Sequence, residues 1–331
     1  EQNEPLPGDW KKYMTTDQST ILVTGGLGFI GSHLVEALVK KGHRVRVLDN
    51  LSTGKRENLA GILSKSLEVQ VGDVADAKTV ESAVQGCDYV FHEAAIASVP
   101  KSVYDPIGTG RVNYGGTLNV LEAARKTEVQ RVIFASSAAV YGDDIRLPKT
   151  ESMPADPITP YGVDKRCSEL IGHCYARTFG LEFVSLRYFN VFGSRQDPSS
   201  PYSGVISIFC DCFRQGLAPT IYGDGYQTRD FIHVSDVVRA NLLALEHPDV
   251  SGKTLNVGRG TAISLLDISS LLSDITGQKL QPIHKQSRPG DIRHSLADIS
   301  ALKSLGWSPK TNIKDGLLEL LQANHSLTKV C

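Results

Sequence analysis

A doubly wound, parallel α/β sheet followed by a smaller α/β domain is the fold class this sequence predicts. Three observations carry that expectation. Short β-branched or apolar runs alternate with segments of helical period through the first half. A glycine cluster, TGGLGFIGSHL, separates the first run from the first helical segment. After about residue 190 the alternation loosens, and proline and glycine become frequent at Pro198, Pro201, Gly216, Pro219, Gly223 and Gly225. Strand–helix alternation at this spacing implies right-handed crossovers between parallel strands.

Thr20–Thr24 (TILVT) reads as the first strand and 31–41 as the first helix. Residues 44–48 (RVRVL), Leu67–Val71 and Tyr89–His92 read as the second, third and fourth strands. The fifth is 132–136 (VIFAS) and the sixth 182–187 (EFVSLR), with helices expected at 113–127 and 161–179. Residues 1–18 are expected to be an N-terminal extension or docking arm without chemistry. Residues 19–189 form the expected cofactor domain and 190–331 the substrate domain, the chain crossing back to the first near 230–260. A ligand is expected in the cleft between them.

Composition narrows the function classes. With 331 residues, 41% hydrophobic and 21% charged, the chain suits a folded protein with a large core and argues against disorder. A net charge of −1 without a long basic run gives no electrostatic footprint for nucleic acid or an anionic membrane, so an anionic ligand needs a local site. The apolar stretches are too short and interrupted to span a membrane, and residues 1–18 lack the apolar centre of a signal peptide. Cys87, Cys167, Cys174, Cys210, Cys212 and Cys331 show no zinc spacing and no disulfide-rich density. No metal and a reduced, cytoplasmic setting are expected. The C-x-C of Cys210 and Cys212 reads as buried or half-buried thiols on a helix.

The glycine cluster puts Gly25, Gly28 and Gly31 between a strand and a helix. The first serves a tight turn, the second a close approach of backbone to a pyrophosphate, and the third helix-on-strand packing. The pyrophosphate belongs at the positive helix end, where free N–H groups point outward. Asp49 ends the second strand about 20 residues on, where a carboxylate bonds the adenosine ribose and repels a 2′-phosphate. That favours NAD over NADP, with Arg46 and Arg56 as the residues that complicate the choice. Asp73, after the third strand, is an adenine contact or a helix N-cap.

Tyr161 and Lys165 stand four apart in PYGVDK at the start of a helix, so their side chains share one face. An ammonium near the phenol is expected to lower the tyrosine pKa, making Tyr161 a general acid/base while Lys165 donates to the nicotinamide ribose. Ser136 and Ser137 end the fifth strand and are expected to face the same pocket, at the carboxyl ends of parallel strands. Ser137 is assigned the hydrogen bond to the reacting oxygen. Five later residues suit a nucleotide diphosphate: the amide of Asn190, the guanidinium forks of Arg229 and Arg288, the carboxylate of Asp291 and the ring of Tyr222.

TGGLGFIG, DNLSTG, HEAAIASVPKS, SSAAVYG, YGVDK and LRYFNVFG, in this order, resemble the extended short-chain dehydrogenase/reductase family, whose first domain is of the Rossmann type. Within it the chain most resembles the UDP-sugar 4-epimerases, from about residue 20 to about 310. The resemblance implies cofactor contacts at Phe29, Ile30, Asn50, Val74, Ala94, Ala95, Asn113 and Ser136, with Tyr188 near the nicotinamide. It puts Ser98 and Val205, with Asn190, Tyr222, Arg229, Arg288 and Asp291, in the UDP-sugar pocket. It also implies that Ser295 borders the sugar C2 substituent. A small residue there leaves space for an acetamido group, which favours UDP-N-acetylhexosamines, with UDP-glucose and UDP-galactose also accommodated. The rivals are a uronic acid 4-epimerase, with Arg293 or His294 meeting the carboxylate, and a UDP-sugar decarboxylase or dehydratase. Resembling dehydratases carry an acid/base pair where this chain has Ala138 and Ala139, which disfavours dehydration. A non-enzymatic nucleotide sensor would have lost the tyrosine or the lysine. The helices at 103–126 and 161–179 resemble those of a four-helix dimer interface, so a homodimer is expected.

Overall fold

Residues 18–62, 65–198, 204–287 and 292–323 are described by the computed structural model. Its strands are β1 (Thr20–Thr24), β2 (Arg44–Asp49), β3 (Leu67–Val71), β4 (Tyr89–His92), β5 (Arg131–Ser137) and β6 (Glu182–Tyr188). Then follow β7 (Asn190–Phe192), β8 (Thr220–Tyr222), β9 (Thr228–His233), β10 (Thr254–Val257), β11 (Ala262–Ser264) and β12 (Ile283–Lys285). The helices of the first half are α1 (Phe29–Lys40), α2 (Ala77–Val84), α3 (Val99–Tyr104), α4 (Pro106–Gly110), α5 (Gly116–Lys126) and α6 (Pro160–Phe179). The second half adds α7 (Val205–Arg214), α8 (Val234–Glu246), α9 (Leu265–Thr276), α10 (Ser300–Ser304) and α11 (Ile313–Ala323).

Seven parallel strands form one sheet in the order β10-β6-β5-β4-β1-β2-β3. Alternation along each strand sends side chains to two cores. Ile21 and Val23 of β1 pack with Leu34 and Leu38 of α1 and Val237 of α8. Leu22, between them, joins Val80 of α2, Val120 and Leu121 of α5 and Phe183 of β6 on the opposite face. Both faces are thus covered, as the near-continuous apolar runs require. The chain winds outward in both directions from the β1/β4 junction, and the crevice beyond the carboxyl ends of those two strands is where such sheets bind ligands.

Strand β10 returns to the edge beside β6, a long-range pairing that no local pattern announces. The antiparallel pair β11–β9 and the parallel pair β9–β7 make a three-stranded sheet, and β12 pairs with β8. Phe209 and Phe213 of α7, Ile268 and Leu272 of α9 and Leu317 of α11 pack with Phe231 in a third core. Cys210 is buried and Cys212 half-buried on α7. No helix among the described residues is long and apolar enough to cross a membrane.

The helix expected at 113–127 instead starts earlier, α4 running from Pro106 straight into a widened π turn over Arg111–Gly115 and on into α5. Asn113 occupies that turn, buried, and the widening serves its position in the site below.

Candidate active site

The turn after β1 is shaped by contacts that only glycine allows. Gly25 has φ +68°, and a Cβ there would lie 2.8 Å from the Ala94 backbone; a Cβ on Gly31 would lie 2.2 Å from the Gly25 carbonyl oxygen. Gly28 is the N-cap of α1, with no side-chain cap and no acidic residue in the first turn. The N–H groups at the start of α1, from Phe29 and Ile30 onward, therefore face the crevice without a side-chain partner, which suits a pyrophosphate.

Asp49, buried at the end of β2, accepts from Leu27 N at 3.0 Å on one oxygen and from Leu51 N at 2.8 Å on the other. A Cβ on Gly54 would lie 2.8 Å from that carboxylate, so the DNLSTG turn closes tightly over it. Each oxygen keeps a lone pair for a ribose hydroxyl. Arg46 is committed elsewhere, to Glu68 at 2.9 Å and to the carbonyls of Ala83 and Gln85 at 2.8 Å each. Arg56 is exposed on a 3₁₀ turn. Asp73 is not the helix cap, because Asp76 caps α2. Asp73 takes Asn50 Nδ2 at 3.1 Å and Ala75 N at 2.8 Å, tying the two loops that flank the expected adenine side. Val74 is buried, with its carbonyl bonded to Asn119.

Across the crevice, Ala94 N donates to Thr24 Oγ1 at 3.2 Å, and Ala95 is half-buried beside it. Asn113 clamps the same loop, accepting from Ile96 N at 2.8 Å and donating to Ile96 O at 3.3 Å and Asp164 Oδ2 at 3.4 Å. Ser98 is buried and caps α3 by accepting from Lys101 N at 3.1 Å.

Helix α6 starts where its sequence directs. The Thr159 side chain accepts from Gly162 N at 3.2 Å, Pro160 takes the first position, and Gly180 closes the far end at φ +75°. Tyr161 and Lys165 project toward the sheet one turn apart. Lys165 Nζ donates to Ala135 O at 2.6 Å and lies 4.8 Å from the Phe134 ring and 5.9 Å from the Tyr161 ring. The Ser137 hydroxyl stands near enough to the Tyr161 phenol to pull its pKa down against burial.

Two expectations are corrected here. Ser136 does not share a pocket with Ser137: its Oγ donates to Glu169 at 2.7 Å inside the protein, because neighbouring residues of a strand point to opposite sides. Lys165 does not lower the Tyr161 pKa in the protein alone. Burial pushes the phenol up to about 12 against the Ser137 hydrogen bond, and the charges of Glu93 and Asp164 push the same way. Burial also lowers Lys165 to about 8, against the pull of Glu93, Asp164 and Glu169. Glu93 is the residue that sequence reasoning missed. Burial raises it to about 7 although Tyr188 Oη donates to it at 2.7 Å. The signal that could have found it is an acid directly after the fourth strand, at the crevice.

On the substrate side, Asn190 opens β7 exposed, Val205 is the first residue of α7, and Tyr222 ends β8 half-buried. Arg229 of β9 donates to Thr228 O at 3.0 Å and Arg293 O at 3.4 Å. Ser295 N donates to Thr228 O at 3.1 Å, which holds Ser295 alongside that strand. Arg293 forks onto Asp224 at 2.7 and 2.8 Å, and His294 Nδ1 bonds Thr228 Oγ1 at 2.9 Å. Arg288 and Asp291 lie outside the described residues. Among the described residues no cluster of three or more His, Cys, Asp or Glu is placed to hold a metal.

The NAD dependent epimerase/dehydratase family matches this chain over residues 21–258. The chain belongs to this family. It is 39% identical over 300 residues to the putative UDP-glucose 4-epimerase of Methanocaldococcus jannaschii, covering 90% of this chain and 95% of that protein. The solved UDP-N-acetylglucosamine 4-epimerase of Methanobrevibacter ruminantium, in complex with UDP-N-acetylmuramic acid, superposes with a TM-score of 0.90 at 39% identity over 94% of this chain and 99% of that one. The UDP-glucose 4-epimerase of Thermus thermophilus, in complex with NAD, gives 0.85 at 37% identity over 92% and 98%. The cofactor of this epimerase/dehydratase chain is NAD, and the glycine turn, the uncapped start of α1 and the buried Asp49 fit it.

Proposed function

We propose that this protein epimerises a UDP-hexose at C4 through a 4-keto intermediate, taking UDP-N-acetylhexosamines in preference. The observation that carries the reading is the meeting of Tyr161, Ser137 and Lys165 at the carboxyl end of β5, across the crevice from the glycine turn. When bound, NAD supplies the hydride acceptor and donor for C4. Tyr161 Oη takes the proton of the 4-hydroxyl and returns it after the sugar has presented its other face. Ser137 bonds the reacting oxygen and keeps it within reach of the phenol. Lys165, hung from Ala135 O, would donate its ammonium to the nicotinamide ribose once NAD is bound, and with the ribose in place would support charge on the phenolate. Arg229, Asn190 and Tyr222 hold the UDP end, joined by Arg288 and Asp291 from the sequence. Firm binding of that remote part positions a sugar that must itself rotate.

The N-acetyl preference is supported by Ser295, half-buried and small beside Thr228. The uronate reading loses support, since Arg293 and His294 are engaged by Asp224 and Thr228. Ala138 and Ala139 offer no acid/base group for dehydration. Exposed Val103, Tyr104 and Ile107 on α3 and α4, with Val163 and Leu170 one heptad apart on α6, support a homodimer through these helices. The free thiols among the described residues support a cytoplasmic setting. Turnover of UDP-N-acetylglucosamine against UDP-glucose, in the protein and in Ser295→Tyr, tests the preference. A ratio that the tyrosine does not lower counts against it.

A further inference from the structure

Glu93 is a titratable group at the reaction centre that the proton transfer above does not use. It follows β4 directly, next to Ala94, which packs on Gly25. Glu93 Oε1 accepts from Tyr188 Oη at 2.7 Å, and that oxygen in turn accepts from Asn241 Nδ2 at 2.7 Å. Asn241 is fully buried on α8, its amide also anchored on Val237 O at 3.0 Å. Residues of β6 and α8 thus converge on the end of β4 to hold one carboxylate within electrostatic reach of the Tyr161–Lys165 pair.

The groups that face it are few and can be named. Tyr188 comes from β6 and Asn241 from α8. Helix α6 contributes Tyr161 and Lys165. On its own strand, His92 sits between Thr24 Oγ1 at 2.7 Å and Thr117 Oγ1 at 3.1 Å, and burial holds it down to about 3, so it is neutral. The ionised carboxylate favours the proton on Lys165 and on the Tyr161 phenol alike. Among the described residues, Lys165 is the cation whose charge draws Glu93 toward ionisation. The pairing is reciprocal: a proton gained by Glu93 weakens the hold on both of the others.

We propose that Glu93 is a positioning residue for the proton-transfer pair, held by Tyr188 and Asn241 so that its charge sets the pH at which Tyr161 becomes a base. Ionised, it keeps the phenol protonated and Lys165 an ammonium. Protonated, it releases Tyr161 toward phenolate at lower pH. Burial pushes Glu93 up to about 7, so it changes charge within the range where an enzyme works. The proposal rests on the epimerase reading only for its turnover measurement.

The test is the pH profile of kcat in holoenzyme carrying Glu93→Gln, which keeps an acceptor for Tyr188 and removes the charge. Both limbs should move to lower pH by about one unit, with bound NAD and UDP affinity unchanged. Tyr188→Phe, which removes the donor that favours the ionised carboxylate, should move them the same way by less, and serves if the first variant does not fold. Limbs that coincide with the parent protein overturn the proposal. So does a Gln variant that is folded but inactive, or one that loses NAD or UDP. If the parent shows no epimerase turnover, that failure belongs to the epimerase reading. The shift is then read from tyrosinate absorbance, as the difference between each protein and its Tyr161→Phe counterpart, where an unmoved Tyr161 titration overturns the proposal.

Discussion

Lys165 hangs from the carbonyl of Ala135 by a 2.6 Å hydrogen bond, which ties the catalytic helix α6 to the strand that ends in Ser137. The bond leaves the ammonium under the Phe134 and Tyr161 rings, so a helix turn and a strand end share one fixed geometry. A cation with less freedom loses less entropy when a reacting group must be held.

Tyr161→Phe removes the proton carrier and nothing from the NAD turn. Turnover should fall by at least about 100-fold, the scale of positioned acid/base catalysis. NAD content after denaturation and UDP binding by calorimetry should match the parent protein. Retained turnover would remove Tyr161 from its role.

Gly31→Ala sets a methyl group 2.2 Å from the Gly25 carbonyl oxygen, a backbone atom that cannot swing aside. The turn must shift, at about 1–3 kcal/mol in stability, and bound NAD should be lost. Thermal unfolding and the absorbance of released cofactor report both. A variant with normal NAD content would show that the turn is softer than its contacts imply.

Asp49→Ala strips acceptors from the Leu27 and Leu51 N–H groups. A buried donor without a partner costs about 1–3 kcal/mol, so even NAD-free protein should unfold at lower temperature. Stabilisation by added NAD should shrink as well. A loss of NAD binding alone would mean the carboxylate serves only the ribose.

Much of this site is local in sequence, which is why it is legible there. The glycine turn, the Asp49 position and the Thr159–Pro160 start of α6 are each specified within a few residues of the groups they place. What escapes depends on distant chain. Asn241 reaches Glu93 through Tyr188 from another helix, and β10 pairs with β6 only once the sheet exists. The Tyr161–Lys165 spacing is legible, but its electrostatics are not. Spacing says that two groups are neighbours, whereas burial decides which way each one titrates.

Glu169 and Arg187 supply a pH test of stability. Burial pushes Glu169 up, but the Arg187 fork at 2.8 Å on each oxygen, with Ser136 and Arg166, brings it below the usual carboxylate value. Its folded pKa is depressed, so its contribution is present above the unfolded value of about 4.3 and is lost as pH falls through the lower folded value. Glu169→Ala leaves Arg187 buried without its partner and should cost about 3–5 kcal/mol at neutral pH in urea unfolding. The gap from the parent should narrow below about pH 4. A gap that does not change with pH would contradict the assignment.

The central claim is met most directly by incubating the purified protein, with no cofactor added and without oxygen, with UDP-N-acetylglucosamine and separately with UDP-glucose, following the sugar by proton NMR. The account predicts that the galacto epimer appears in both, faster from the acetamido sugar, on NAD carried by the protein. Protein shown to contain NAD that leaves both sugars unchanged would contradict it.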